Sequence, residues 1–284
     1  MDQSTDIREL KRNAERGDVL AQFELAGLYL SGEGVKMDEP KALYWFRKAA
    51  EQGDKDAQSV LGSCYLDGIG TEKDEKEGVF WLRKAAEQEE PEACCELAFF
   101  LLERGEEERA EGVRFLREAA EWGVARAQTE LGSRYLTGED VEEDPMRALF
   151  WLHEAAEQDD AEAMFWIAYC FANEIGVKRN DRIAFHWYRC AAECGDAAAQ
   201  CELGACCYFG IGTEENEAAG VRWFRLAAEK GYPKAQYQLG CCYMRGSGVE
   251  QDDGEALFWL RKAARQDYED AQTAIDELLH PKEE

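Results

Sequence analysis

No run of apolar residues in this chain approaches the roughly 18–20 that a membrane-spanning helix needs, only five prolines are present, and Met1 to Asp18 is charged rather than signal-like. Basic charge is scarce: 33 Lys and Arg stand against 60 Asp and Glu, a formal net charge of −27. Such a surface repels phosphate backbones and anionic lipid, so neither nucleic acid nor a membrane is an expected partner, whereas a basic protein would be attracted. Histidine is equally sparse, with only His153, His186 and His280, and there is no Cys-x-x-Cys pair or calcium-loop spacing. No metal site or cofactor is therefore expected. Eleven cysteines is an odd number in a chain too long for a small disulfide scaffold and without an export signal. Reduced thiols in a cytoplasm are the expectation.

What the chain has in quantity is hydrophobic residues, 45% of the total with 11% aromatic, enough to build a packed core. They recur with a period. Ala-Gln appears at Ala21-Gln22, Ala57-Gln58, Ala127-Gln128, Ala199-Gln200, Ala235-Gln236 and Ala271-Gln272, with Ala93-Cys94 and Ala163-Met164 as variants. The spacing is 36 residues except for 34 between Ala93 and Ala127. A bulky aromatic keeps the same step at Trp45, Trp81, Phe115, Trp151, Trp187, Trp223 and Trp259. Two independent marks with one period define a repeat array.

Within a repeat, Ala57, Leu61, Gly62 and Tyr65 share one stripe of a first helix spanning Asp54 to Leu66. Gly68-Ile69-Gly70 ends it, because glycine accepts the left-handed conformation of a helix C-cap. Asp74 starts the second helix as N-cap, as do Asp38, Asp144, Asn180, Asn216 and Asp252 elsewhere, with Pro145 suited to a first helical position. That helix carries a small residue, Trp and paired Ala, as in Gly78, Trp81, Ala85 and Ala86, where the indole is expected to fill the gap beside the small residues. Gly53, Gly123, Gly195 and Gly231 then close it.

The expected fold is all-α: an α/α solenoid, a right-handed superhelix of seven helix-turn-helix repeats at 18–53, 54–89, 90–123, 124–159, 160–195, 196–231 and 232–267. Half-repeat capping helices at 4–16 and 268–280 complete a single domain over 1–284, with a loose tail at Lys282, Glu283 and Glu284.

The pattern Ala57-Gln58, Leu61-Gly62, Tyr65, Gly68-Ile69-Gly70, Asp74, Trp81, Lys84-Ala85-Ala86-Glu87 resembles the Sel-one-like repeat family, relatives of tetratricopeptide repeats. The resemblance covers essentially the whole chain and implies an adaptor or scaffold solenoid that binds protein or peptide. A secreted, cysteine-rich branch of that family, some of whose members are linked to penicillin binding or weak β-lactam hydrolysis, bridges the end of each second helix to the next first helix. Here the first bridging position is Ala50, Ala86, Ala120, Ala156, Ala192, Ala228 and Ala264, so that bridge is impossible.

The resemblance also implies that first helices line a concave groove, at positions one before the anchor Ala and two, six, nine and ten after it. These are Phe23, Phe99, Phe165, Tyr169, Tyr208, Phe209, Tyr237 and Met244, with Arg126, Asn173, Lys234 and Arg245 as polar members and Ser59, Ser63 and Thr129 between them. Rings at positions free of a packing duty mark a binding surface. A phase error of one residue would make them inter-repeat core instead. Acidic turns at Glu72–Glu77, Glu103–Glu111, Glu139–Asp144, Glu214–Glu217 and Gln251–Glu255 would either steer a basic partner or form a solvated edge.

Other chemistry finds little support. Gly32-Glu33-Gly34, Gly68-Ile69-Gly70, Gly210-Ile211-Gly212 and Gly246-Ser247-Gly248 follow helices and lack a P-loop lysine, so they read as turns. Cys64, Cys170, Cys206 and Cys242 share a core position filled by Leu28 in the first repeat. Cys190 and Cys194 are expected to be exposed one helical turn apart, a spacing that strains a disulfide and offers a soft metal no further ligand. No nucleophile, base and orienting group stand out together, so the chain reads as a non-enzyme. The alternatives are an immunity or inhibitor protein neutralising a basic partner, and a β-lactam-binding or weakly hydrolysing enzyme.

Overall fold

The computed structural model describes residues 3–280, with side chains from residue 7; Lys282, Glu283 and Glu284 lie outside that range. The described residues are helical throughout, in sixteen α-helices: α1 (Gln3–Glu15), α2 (Val19–Ser31), α3 (Glu39–Glu51), α4 (Lys55–Asp67), α5 (Glu75–Ala86), α6 (Pro91–Leu102), α7 (Glu106–Glu121), α8 (Ala125–Thr137), α9 (Pro145–Ala156), α10 (Ala161–Asn173), α11 (Asp181–Glu193), α12 (Ala197–Phe209), α13 (Glu217–Glu229), α14 (Pro233–Arg245), α15 (Asp253–Ala264) and α16 (Glu269–Leu279). Even-numbered helices are the first helices of repeats. They form two compact units, one ending at Leu131 and one starting at Gly132, each an all-α array of helix pairs.

Capping sets the helix boundaries. Asp38, Asp74, Asp144, Asn180, Asn216 and Asp252 each accept a hydrogen bond from a first-turn N–H of a second helix. Asp18, Asp54, Asp160 and Asp196 cap first helices in the same way, accepting from the anchor Ala N–H at 2.5–2.8 Å. Each such cap is worth about 1 kcal/mol. The turn between the helices is closed by the second-helix cap residue, whose N–H reaches back to a first-helix carbonyl, as Asp74 does to Tyr65 at 2.9 Å. The second glycine of the turn has a separate duty. Gly70 (φ +71°) lies against the start of the preceding second helix, where a Cβ would come within 2.5 Å of the Glu39 carbonyl oxygen.

Packing inside a pair divides the work between two neighbouring side chains. Trp81 is buried in one core cluster with Ala42, Ala49, Ala50 and Ala57, while the side chain set against the glycine of the first helix is Leu82, the residue after it: Leu82 is fully buried, and a Cβ on Gly62 would lie 2.6 Å from its Cγ. Gly204 meets Phe224 and Gly240 meets Leu260 at 2.7 Å in the same way. Successive residues sit about 100° apart around a helix, so the side chain aimed at the glycine of the partner helix is the neighbour of the Trp, and the indole packs in the core on the adjoining side. There Trp81 and Trp259 donate Nε1–H to Glu77 and Glu255 at 3.2 and 3.1 Å.

The recurring glutamine joins one repeat to the next. Gln22, Gln58, Gln128, Gln200 and Gln236 are all buried, and each donates Nε2–H to the carbonyl of Ala14, Ala50, Ala120, Ala192 or Ala228 at 3.0–3.1 Å. Gln52, Gln88 and Gln266, at the ends of second helices, donate in turn to Oε1 of Gln22, Gln58 and Gln236 at 2.7–2.9 Å. In the sixth repeat that donor position holds Lys230, which bonds the Gly195 carbonyl instead, and Gln200 Oε1 is buried without a partner. Where the buried glutamine is replaced by Cys94 or Met164, the donor position is Trp122 or Cys194. Cys194 therefore stands where no acceptor awaits it.

The candidate interaction face

In the second unit, α10, α12, α14 and α16 follow one another as first helices. Phe165, Tyr169 and Asn173 lie on α10, with Asn173 donating to the Tyr169 carbonyl at 2.9 Å. Tyr208 and Phe209 lie on α12 with ring centroids 4.8 Å apart; Lys234, Tyr237, Met244 and Arg245 lie on α14. Phe165, Tyr208, Tyr237 and Met244 are half-buried, with one side packed on the core and the other accessible, while Tyr169, Asn173, Phe209 and Arg245 are exposed. Phe165 rests on Tyr188 of α11 at 5.7 Å and stacks on Tyr169 at 6.4 Å. Lys234 spans to the preceding first helix and pairs with Glu202 at 2.5 Å. Burial opposes its charge, but Glu202 outweighs that and raises the ammonium above the ordinary lysine range.

The first unit differs. Phe23 is half-buried and packs edge-on against Phe46 at 5.6 Å. Phe99 lies beneath the guanidinium of Arg126 at 3.9 Å, and Arg126 also bonds Glu96 at 2.9 Å. Ser59 and Thr129 do not line the face: both are buried, because a short side chain two residues after the anchor is covered by the neighbouring helices. Ser63 is half-buried and turns its hydroxyl to the Ser59 carbonyl at 3.3 Å.

Three aromatics on or beside this face escaped the sequence reading. Trp166 contacts Tyr169 at 5.7 Å and stands where other repeats carry Glu24, Glu96, Glu130 and Glu202. Tyr268 packs on Tyr237 at 5.1 Å, and Tyr232 is half-buried near Lys234. Both tyrosines occupy the first-helix N-cap position of Asp18, Asp54, Asp160 and Asp196, yet neither provides a side-chain cap. A departure from the repeat at a solvent-edge position was the available signal. Burial pushes the Tyr237 phenol up to about 12, with Cys241 adding to it.

The acidic turns are partly spoken for. Glu75 pairs with Arg104 at 2.7 Å, and Glu111 takes Arg83 through two bonds at 2.6 and 2.8 Å, which hold its carboxyl below the usual range. Asp140 binds Arg134 at 2.7 Å. All eleven cysteines are free; nine are buried, Cys190 is half-buried beside His186 at 3.8 Å rather than fully exposed, and Cys194 is exposed. Among the described residues, no group of three or more His, Cys, Asp or Glu is placed to hold a metal, and no helix is long and apolar enough to cross a membrane.

Paired helices stacked by one repeated set of contacts define a helical-repeat solenoid. The Sel1 repeat matches at residues 19–54, 55–90, 91–123, 125–160, 161–196, 197–232 and 233–268, and the chain belongs to the Sel1 repeat family. Similar solved structures include c5321 of uropathogenic Escherichia coli, described as a protective antigen displaying an SLR fold, with 35% identity and a TM-score of 0.86. That match covers 98% of this chain and 60% of the E. coli chain, so this chain spans less than two thirds of that protein. A Sel1 repeat protein from Oxalobacter formigenes shares 33% identity over 98% of this chain and 82% of its own, with a TM-score of 0.76. Comparison with curated proteins finds no match. Sel1 repeat proteins generally act in protein–protein interaction, and the repeat is typically a non-enzymatic module.

Proposed function

We propose that the chain is an adaptor or scaffold that holds a protein or peptide on the first-helix face of its second unit. The observation that carries this is the series of rings on α10, α12 and α14: Phe165 and Tyr169, Tyr208 and Phe209, and Tyr237. They keep accessible edges where polar side chains would be cheaper in solvation. Rigid aromatics offer large contact area at low entropy cost, the chemistry of interaction hot spots.

The test is capture of partners from the native organism's lysate by the wild type, by a Phe165→Ala/Tyr208→Ala/Tyr237→Ala variant, and by a Phe150→Ala/Phe258→Ala variant that removes rings exposed on second helices. Circular dichroism first establishes that all three are folded. A partner lost from the first variant and kept by the second is the expected result. Equal retention by the first variant would remove the face from consideration.

A further inference from the structure

Arg126 shows how this repeat holds a guanidinium. It occupies the position before the anchor Ala of the fourth repeat, lies 3.9 Å from the ring centroid of Phe99, six residues after the preceding anchor, and bonds Glu96, three after it, at 2.9 Å. Lys234 repeats the ion pair with Glu202 three repeats further on, but there the ring position is Ala205. Between the fifth and sixth repeats the situation is reversed. Tyr169 occupies the ring position, Trp166 stands in the place of the glutamate, and the position of Arg126 holds Ala198, too short to cover either ring.

The rings are fixed rather than loose. Tyr169 is stacked on Phe165 at 6.4 Å, edge-on to Trp166 at 5.7 Å, and still 38% exposed. Glu162 accepts from Trp166 Nε1 at 3.4 Å and so sets a carboxylate beside the pair. No cation lies over Tyr169 or Trp166 among the described residues, although cations do cover Phe99, Phe80, Trp81, Phe258 and Trp259.

We propose that an arginine side chain of a partner protein takes this place, its guanidinium lying over Tyr169 beside Trp166 and Glu162 as Arg126 lies over Phe99 beside Glu96. This rests on the reading of the face as an interaction surface and names the chemistry it takes. Arginine fits better than lysine because its planar, weakly hydrated guanidinium stacks on a ring while donating to a carboxylate. The net charge of −27 draws such a cationic segment in from a distance.

The test is fluorescence anisotropy with a labelled Gly-Arg-Ser repeat peptide and its Gly-Lys-Ser counterpart at physiological salt. The decisive variant is Ala198→Arg, which supplies internally the side chain the partner would bring, at a position the fourth repeat already fills with arginine. The wild type is expected to prefer the arginine peptide. Ala198→Arg and the surface substitution Tyr169→Ala should each weaken it about tenfold. Glu142→Gln with Glu143→Gln, which removes the same kind of charge from an exposed turn, should change it less than about twofold. Binding unchanged by Ala198→Arg, an equal loss in the turn control, or no binding of the arginine peptide would each overturn the proposal. If a lysate partner still depends on Phe165, Tyr208 and Tyr237 while the arginine peptide is ignored, the arginine proposal falls and the interaction surface stands.

Discussion

Replacing Lys230 by glutamine should stabilise the protein, and the size of the gain follows from the hydrogen bonds of its sister repeats. Gln266, at the same position one repeat later, donates both to the Gly231 carbonyl at 3.0 Å and to Gln236 Oε1 at 2.9 Å. Lys230 makes only the first of these bonds, to Gly195, and leaves Gln200 Oε1 buried and unpartnered. A buried acceptor without a donor costs about 1–3 kcal/mol. Glutamine restores the donor while keeping the bond to Gly195. Against this stands the loss of a cation at the C-terminus of α13, worth about 0.3–1 kcal/mol at an exposed site. The net expectation is a gain of about 1 kcal/mol, which for a chain of this length raises the melting temperature by about 2 °C. Repeat arrays do not always unfold in one step, so amide exchange around α12 and α13 should be read alongside the melt. Lys230→Met, which removes the charge and supplies no donor, should be neutral or destabilising. Equal gains in both variants would show that the lysine charge mattered and the orphaned oxygen did not.

The other expectations follow from single contacts. Gly62→Ala forces a Cβ to within 2.6 Å of Leu82 Cγ and 3.0 Å of the Gly78 carbonyl oxygen, and should cost about 1–3 kcal/mol in a urea melt. Asp159 and Asp267 hold φ values of 63° and 57° where sister repeats carry glycine, so Asp159→Gly and Asp267→Gly should each stabilise by about 0.5–1 kcal/mol, seen as a higher melting temperature. A thiol reagent at neutral pH should label Cys194 quickly and Cys190 slowly, leaving buried thiols such as Cys201, Cys206 and Cys242, pushed up to about 12, untouched until the chain unfolds. Glu111 has a folded pKa below its unfolded one, so its contribution is present above about pH 4.5 and is lost as pH falls through the folded value. Glu111→Gln should therefore flatten that part of the acid-unfolding curve.

The period made the fold legible. Once Ala57, Leu61 and Tyr65 are aligned with their counterparts, the helices, the Asp74 and Asn216 caps and the glycine turns follow from capping chemistry and fall within a residue or two of their observed limits. The finer orientation did not follow. A period fixes which residues are equivalent, whereas facing is decided within 100° steps around each helix. This is why Leu82 rather than Trp81 faces Gly62, and why Ser59 is enclosed while Phe165, longer and at the same position, emerges. Trp166, Tyr232 and Tyr268 required the opposite logic. They conform to no repeat rule, and their significance lies in the glutamate or aspartate they displace.

The most direct test of the interaction face is site-specific photo-crosslinking. A benzoyl-phenylalanine placed at Tyr169 reports from the first-helix face of the second unit, and one at Phe150 reports from a ring 54% exposed on a second helix of the same unit. A covalent partner adduct at position 169 and none at 150 is the predicted result; an adduct at 150 with none at 169 would contradict it and move the surface to the second helices.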